Sequence, residues 1–244
     1  MDSLLLMRTF YIIGGMLVIT AITAKINRSF ETTAELCITL ISSFALLLII
    51  DYNASSYPLN LILVGLFAAW NGWLIGPTIE HFGERFKLKR YLKNQGLNVK
   101  KRRDIPDDAL AEFEDSFDRN AYHAEWQNVI FQTISATALA MISTGSIVFL
   151  TDYDFGWLGQ ILFICLFSLI IMYLLNALIF KSSVFALIRT YFGAVIFTLF
   201  LIYDFNRLEK LANDESWATA IDISVNIYLD IINLFLEILE IFSE

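Results

Sequence analysis

Seven polar residues recur through the last apolar stretch of the chain, residues 217–244. Their spacing of three or four residues places them on one face of a helix. An ionised aspartate at the centre of a bilayer costs at least ~2.5 kcal/mol, so this face should not contact lipid. We therefore expect the helix to lie inside a bundle; the alternative is a surface helix with a solvated acidic face. The seven residues are Asp222, Asn226, Asp230, Asn233, Glu237, Glu240 and Glu244.

Two aspartates are candidates for a pH-sensitive gate. Asp230 lies near the centre of the last apolar run, and Asp204 closes the run before it. If the two helices are neighbours, the carboxylates would meet, and carboxylates about 3 Å apart do not both ionise readily. A shared proton would bridge them at low pH, and its loss would make them repel. The alternative is that each aspartate is a helix cap or makes an ordinary interhelical hydrogen bond, and spacing alone does not decide.

The same residues offer ligands for a metal ion. Carboxylate and amide oxygens are the hard ligands that Ca²⁺ prefers, so deprotonated Asp204 and Asp230 are also candidate calcium ligands. No catalytic residue and no resident cofactor is predicted, and calcium enters only as a permeant ion. Further residues of the stripe are pore-lining or ion-coordinating candidates: Asp222, Asn226, Asn233 and Glu237.

The composition indicates a polytopic membrane protein. Hydrophobic residues make up 57% of the 244 residues, and the mean hydropathy is +0.61. The net charge of −8 is unevenly placed, because basic residues cluster between Arg85 and Arg103, and a nucleic-acid partner has little support. The two cysteines, Cys37 and Cys165, lie inside apolar runs and predict neither a disulfide framework nor a cysteine metal site.

Apolar runs of about 20 residues, the length that spans a bilayer, occur at seven places. They predict an all-α bundle forming a single transmembrane domain over residues 1–244. The first run reads as a retained span, because the N-terminus lacks the pattern of a cleaved signal peptide. The runs are 4–24, 34–51, 59–79, 129–150, 157–180, 184–203 and 217–242.

One connection, residues 80–128, is long and strongly charged. It predicts a basic amphipathic helix over 84–95, a polybasic run at 100–103, and a second helix whose apolar face is formed by Leu110, Phe113 and Phe117. The polybasic run is interpreted as a solvated loop that marks the cytoplasmic side, with anionic lipid binding as the alternative. His81 and His123 flank the connection and are predicted to be surface residues, because no third metal ligand is near.

The charge count favours a cytoplasmic long loop and an external N-terminus. Most of that asymmetry comes from the 80–128 connection itself. Without it, four basic residues lie on one side and three on the other, which decides nothing.

Tyr203-Asp204-Phe205-Asn206 is followed by a longer and more specific block, Ile227-Tyr228-Leu229-Asp230-Ile231-Ile232-Asn233-Leu234-Phe235-Leu236. These two blocks resemble the C-terminal signature of the Bax inhibitor-1 family. Gly76-Pro77, preceded by Gly65 and Gly72, is similar to the family's Gly-Pro in the third span. Tyr191-Phe192-Gly193-Ala194-Val195-Ile196-Phe197 resembles the sixth-span pattern. The resemblance covers all seven runs and is strongest from Val129 onward.

The resemblance implies six helices around a central seventh. It also implies a pH-sensitive calcium leak gated by two aspartates, which map onto Asp204 and Asp230. In eukaryotes the family is associated with suppressing cell death, and in bacteria its members lie in the inner membrane. The expected location is therefore a bacterial inner membrane, or the endoplasmic reticulum or another organelle membrane in a eukaryotic cell.

Three features depart from the family pattern. Members with the pH latch carry arginines just after the second span, one of which pairs with the sixth-span aspartate, whereas this chain has Asp51-Tyr52-Asn53-Ala54 there. Arg189 is about four turns from Asp204 and too far to substitute directly. The 80–128 connection is much longer than usual. The family's usual orientation is also opposite to the charge count, so topology stays open.

Two other functions remain as alternatives. A non-conducting interaction protein would modulate a protease or a stress or cell-death pathway, with the 80–128 insertion as its docking surface for a membrane protein partner. A di-aspartyl intramembrane protease would use the same two acids to activate water. Asp230 lacks the Gly-x-Gly-Asp context of such enzymes, so no enzymatic activity is expected.

Overall fold

The computed structural model describes residues 4–97, 109, 111, 113, 122–151 and 153–244. Seven long helices account for most of these residues, and the described part of the chain contains no strand. The helices are α1 Leu4–Ile26, α2 Thr33–Tyr52, α3 Leu59–Asn94, α4 His123–Leu150, α5 Leu158–Leu175 with a π-helical turn Asn176–Phe180, α6 Ser183–Lys210 and α7 Trp217–Ser243.

Each predicted apolar run forms a helix, which confirms the all-α fold class. Six helices, α1 to α6, are long and apolar enough to cross a membrane. Three helices extend past the apolar runs: α3 by 15 residues to Asn94, α4 back to His123, and α6 on to Lys210. Each apolar run ends at the first charged residues, but the backbone hydrogen bonds of the helix continue through them. The amphipathic helix predicted over 84–95 is the second half of α3.

The last helix is the innermost element of the bundle. It packs against α1, α3, α4 and α6, while α2 packs on α3 and α5 packs on α6. Within α7 only Phe242 is exposed, whereas just 11% of the apolar window of α5 is buried. The six apolar helices thus surround α7 in two shells, with α2 and α5 outermost.

Close packing between α1 and α3 depends on two glycines of α3. A Cβ at Gly72 would lie 2.5 Å from the Thr20 carbonyl oxygen, and a Cβ at Gly76 would lie 2.5 Å from that of Ala24. Backbone cannot move aside as a side chain can, so larger residues would force the helices apart. Small residues at helix contacts are the usual means of close approach in membranes.

Pro77 lies inside α3 without ending it. A proline has no N–H, so the carbonyl of Trp73, four residues earlier, loses its helical donor. The buried side chain of Asn27 on α1 supplies a replacement, because its Nδ2 donates to the Trp73 oxygen at 2.9 Å. The helix therefore passes through the proline with its backbone satisfied.

The second half of α3 carries its own small core. Phe82 and Phe86 pack around Trp126 at the start of α4, and Phe113 of the insertion is buried against Tyr91, with ring centroids 5.5 Å apart. Phe113 therefore packs on the chain itself. The other members of the predicted apolar face, Leu110 and Phe117, and the polybasic run 100–103 lie outside the described residues.

We predict that Asn27→Ala lowers the free energy of unfolding by about 1–3 kcal/mol, because it leaves the Trp73 carbonyl unpaired in the bundle. Pro77→Ala restores an N–H to that carbonyl, so Asn27→Ala should cost less in the Pro77→Ala background. Unfolding in mixed micelles measures both values. Asn53→Ala is the matched control, because its amide bonds an exposed carbonyl of its own helix. Equal costs in the two backgrounds would contradict the pairing.

Candidate functional site

The polar stripe of α7 faces α6, and the two helices form an antiparallel seam. The connection 211–216 sets where α7 begins. Ser216 caps α7 by accepting from the Thr219 N–H at 3.2 Å, and Asp214 accepts from the Ser216 N–H at 2.8 Å. Hydrogen bonds from the Thr219 hydroxyl and the Ser216 N–H hold the pKa of Asp214 below its ordinary value. The start of α7, and with it the register of the seam, is thus fixed by local capping.

The centre of the seam brings Asp204 of α6 and Asp230 of α7 into contact. Both side chains are buried, with 5% and 7% of their surface exposed, and the two carboxyl groups are within hydrogen-bonding reach of each other. Asp230 Oδ2 has no hydrogen-bond partner among the described residues. Two carboxyl groups this close would share a hydrogen bond only if one of them carried a proton.

One end of the seam is closed by an ion pair. Arg207 of α6 pairs with Asp222 of α7, and Asn226 donates to Asp222 Oδ1 at 3.3 Å. The side chains of Arg207 and Asp222 are 36% and 42% exposed. Asp222 and Asn226 therefore cap the seam near solvent, away from the buried pair. Arg207 lies about one turn from Asp204 along α6.

The other end carries a more enclosed ion pair. Arg189 of α6 pairs with Glu240 of α7 at 2.7 Å, with side chains only 11% and 14% exposed. The Arg189 guanidinium also bonds the Thr190 hydroxyl at 3.2 Å and lies over the Tyr173 ring, 5.1 Å from its centroid. Arg189 is thus fully engaged at this end and does not replace the arginine expected beside Asp204.

Glu237 lies between the central pair and this ion pair. Its carboxyl group occupies the space that Gly193 leaves open, since a Cβ on Gly193 would be 2.5 Å from Glu237 Oε1. Glu237 Oε2 is buried without a partner among the described residues. Asn233 is half-buried, and its side chain makes no hydrogen bond within the described part of the chain.

The six predicted site residues therefore form four separate groups along the seam. Asp204 and Asp230 lie together, Asp222 and Asn226 lie together at one end, and Asn233 and Glu237 each stand apart. No group of three or more histidine, cysteine or acidic residues among the described residues is placed to hold a metal ion.

The residues beside Asp204 fix its position. Phe205 packs between Phe10 and Phe149, with ring centroids 6.3 and 5.9 Å away. Asn206 accepts from the Phe155 N–H at 3.2 Å and donates to Asp154 at 3.4 Å, which ties the α4–α5 connection to α6.

Comparison with known proteins identifies the chain from its second half. Residues 120–244 match the model of the Bax1-I family, described as inhibitor of apoptosis-promoting Bax1. The chain belongs to this family. The matched range is just over half of the chain and contains the whole α6–α7 seam.

Curated relatives match over the same region. The chain is 35% identical over 114 residues to the Golgi anti-apoptotic protein of Vaccinia virus, covering 47% of this chain and 46% of the relative. It is 36% identical over 90 residues to the protein LIFEGUARD 4 of Arabidopsis thaliana, covering 37% and 35%. An uncharacterised protein of Campylobacter jejuni is 31% identical over 113 residues, covering 46% and 47%. The chain thus spans less than half the length of the curated relatives it matches.

The family motif around Asp230 also anchors α7 to the far side of the bundle. The Tyr228 hydroxyl hydrogen-bonds Thr20 of α1 at 2.7 Å, and Thr20 donates to the Ala68 carbonyl of α3 at 2.9 Å. In this Bax1-I member, Tyr228 and Asp230 therefore fix α7 from opposite sides. Sequence reasoning did not identify Thr20, because a lone threonine in an apolar helix carries no distinguishing pattern.

We predict that Arg189→Gln destabilises the bundle by roughly 3–5 kcal/mol, because it leaves the Glu240 carboxylate buried and unpaired. The double variant Arg189→Gln/Glu240→Gln should recover a large part of that loss. Unfolding in mixed micelles again provides the measurement. Arg85→Gln is the control, since its pair with Glu244 is 50% and 34% exposed and should contribute at most about 1 kcal/mol. A cost for Arg189→Gln no larger than this control would contradict a buried pair.

A pH effect is predicted for Asp154 in the α4–α5 connection. Hydrogen bonds from Lys210 and from the Gly156 N–H hold the pKa of Asp154 below its ordinary value of 3.8. A lowered folded-state pKa stabilises the fold above pH ~3.8 and loses that contribution as pH falls further. Asp154→Asn should therefore lower the melting temperature at pH 7, and the difference should shrink below pH 3.8. The control is Asp51→Asn, and a difference that is independent of pH would contradict the assignment.

Proposed function

We propose that this chain is a pH-sensitive cation leak, suited to Ca²⁺, in which the Asp204–Asp230 pair is the gate. The observation that carries the proposal is the contact of two buried carboxyl groups, from different helices, at the centre of the bundle. A purely structural contact would be expected to satisfy both groups, yet Asp230 Oδ2 is left without a partner among the described residues.

The mechanism follows from the shared proton. With the proton present, the hydrogen bond holds α6 against α7 and closes the seam. When the proton is lost, two carboxylates about 4 Å apart repel by about 4 kcal/mol at an effective dielectric constant of 20. That repulsion favours separation of the helices, and the freed carboxylate oxygens are hard ligands for a passing divalent cation.

The absence of an arginine just after the second span affects how the closed state would be held. In this chain the nearest described cation along α6, Arg207, is paired with Asp222. We infer that the closed state depends on the shared proton itself rather than on a salt bridge to Asp204. The acids act here as a gate, and no catalytic role is proposed for them.

The relatives support a location and a second candidate function. The match to the Campylobacter jejuni protein favours a bacterial inner membrane, and an organelle membrane is the alternative. The name of the Vaccinia virus relative favours a non-conducting protein that modulates cell death through a membrane partner. Such a protein would use the 80–128 insertion, of which Phe113 is buried and so provides no exposed contact.

The test is ⁴⁵Ca²⁺ flux into proteoliposomes across pH. Wild-type flux should increase as pH rises and the pair loses its proton. Asp204→Asn and Asp230→Asn should each abolish the pH dependence, because neither leaves two carboxylates to repel. Glu215→Gln is the control, since Glu215 is an exposed acid in the α6–α7 connection. Absent flux, or a pH profile unchanged by both aspartate substitutions, would refute the leak and favour the interaction protein.

A further inference from the structure

A cavity of about 1040 Å³ opens between α1, α3 and α4, with α7 as its back wall. This volume is at the upper end of the ~300–1,000 Å³ typical of ligand pockets. The cavity lies on the side of α7 away from the α6 seam, so it is separate from the carboxyl pair. Most of its wall is apolar: Leu17, Ile75, Ile79, Ile130, Ile134 and Phe235.

The dimensions of the cavity suit an acyl chain. Along α4 its lining runs from His123 to Met141, a stretch of 19 residues and about 27 Å of helix. One leaflet of a bilayer contributes only about half of the ~30 Å hydrocarbon thickness. A chain from one leaflet therefore fits along the cavity with its end still enclosed by apolar side chains.

The mouth of the cavity carries basic groups. Lys25, in the last turn of α1, and Arg28, just after it, are exposed and form no ion pair with any described residue. Lys87 is buried and pairs with Glu84 at 3.3 Å, which leaves Glu80 as the acid of the lining that pairs with no described residue. Among the described residues, two unpaired cations thus face one unpaired acid, and this balance favours an anion.

We propose that this cavity binds an anionic phospholipid of the surrounding bilayer. One acyl chain lies between α1 and α4, and the phosphate contacts Lys25 and Arg28. Both basic residues follow the apolar part of α1, at the level where lipid headgroups are found. Arginine binds phosphate through paired N–H donors, and lysine contributes a point charge. The proposal does not depend on ion flux and holds whether or not the chain conducts.

The experiment is native mass spectrometry of the purified full chain, titrated with phosphatidylglycerol or with phosphatidylcholine of the same acyl composition. We expect phosphatidylglycerol to be retained about 30-fold more strongly, in line with ~1 kcal/mol for each of the two basic residues near an anionic headgroup. Lys25→Gln/Arg28→Gln should remove this preference. Lys93→Gln/Lys181→Gln is the matched control, because it removes two positive charges at the same end of the bundle outside the cavity lining.

A second variant tests the position of the acyl chain. Ala138 lines the cavity on α4, and Ala138→Phe would fill part of it, so retention of phosphatidylglycerol should fall. Equal retention of the two lipids by the wild type would overturn the proposal. So would a preference that survives the Lys25/Arg28 substitutions, or retention of phosphatidylglycerol that Ala138→Phe leaves unchanged. Retention of oleate without retention of phosphatidylglycerol would assign the cavity to a free fatty acid and would also overturn it.

Discussion

A carboxyl group inside a hydrocarbon layer needs a hydrogen-bond or ion-pair partner. Helix α7 carries four carboxyl side chains between residues 222 and 240. This constraint accounts for the position of α7 inside the bundle and for its long contact with α6. The side of α6 that faces α7 supplies an arginine, an aspartate, a glycine and a second arginine in turn: Arg207, Asp204, Gly193 and Arg189. Each accommodates one acid of the stripe.

The seam is held differently at its ends and in its middle. Arg207–Asp222 and Arg189–Glu240 join opposite charges, so an ion pair holds each end of the seam. The middle joins two acids, and in the proposed gate it depends on a shared proton. Loss of that proton would act on a segment fixed on both sides, which favours a local opening over separation of whole helices. The cavity between α1, α3 and α4 lies on the opposite side of α7, where the hydroxyl of Tyr228 bonds Thr20.

Much of the fold follows from the sequence, because an apolar run of about 20 residues has few ways to satisfy its backbone other than as a helix. The acidic stripe predicted an interior α7, because a face that carries carboxyl groups should not contact lipid. The ion pairs at the ends of the seam were not predicted, because Arg189 meets Glu240 only through the register that the α6–α7 connection sets. The continuation of α3 through Pro77 was also not predicted, because the donor that compensates for the proline, Asn27, lies on another helix.

The shared proton is the central claim, and infrared difference spectroscopy tests it most directly. The C=O stretch of protonated carboxyl groups would be followed across pH in a Glu237→Gln background, which removes the other buried carboxyl of the seam that has no ion-pair partner among the described residues. The account predicts one protonated-carboxyl band that is lost as pH rises and that shifts or disappears in both Asp204→Asn and Asp230→Asn. A band unaffected by both substitutions, or no such band at any pH, would contradict a proton shared between α6 and α7.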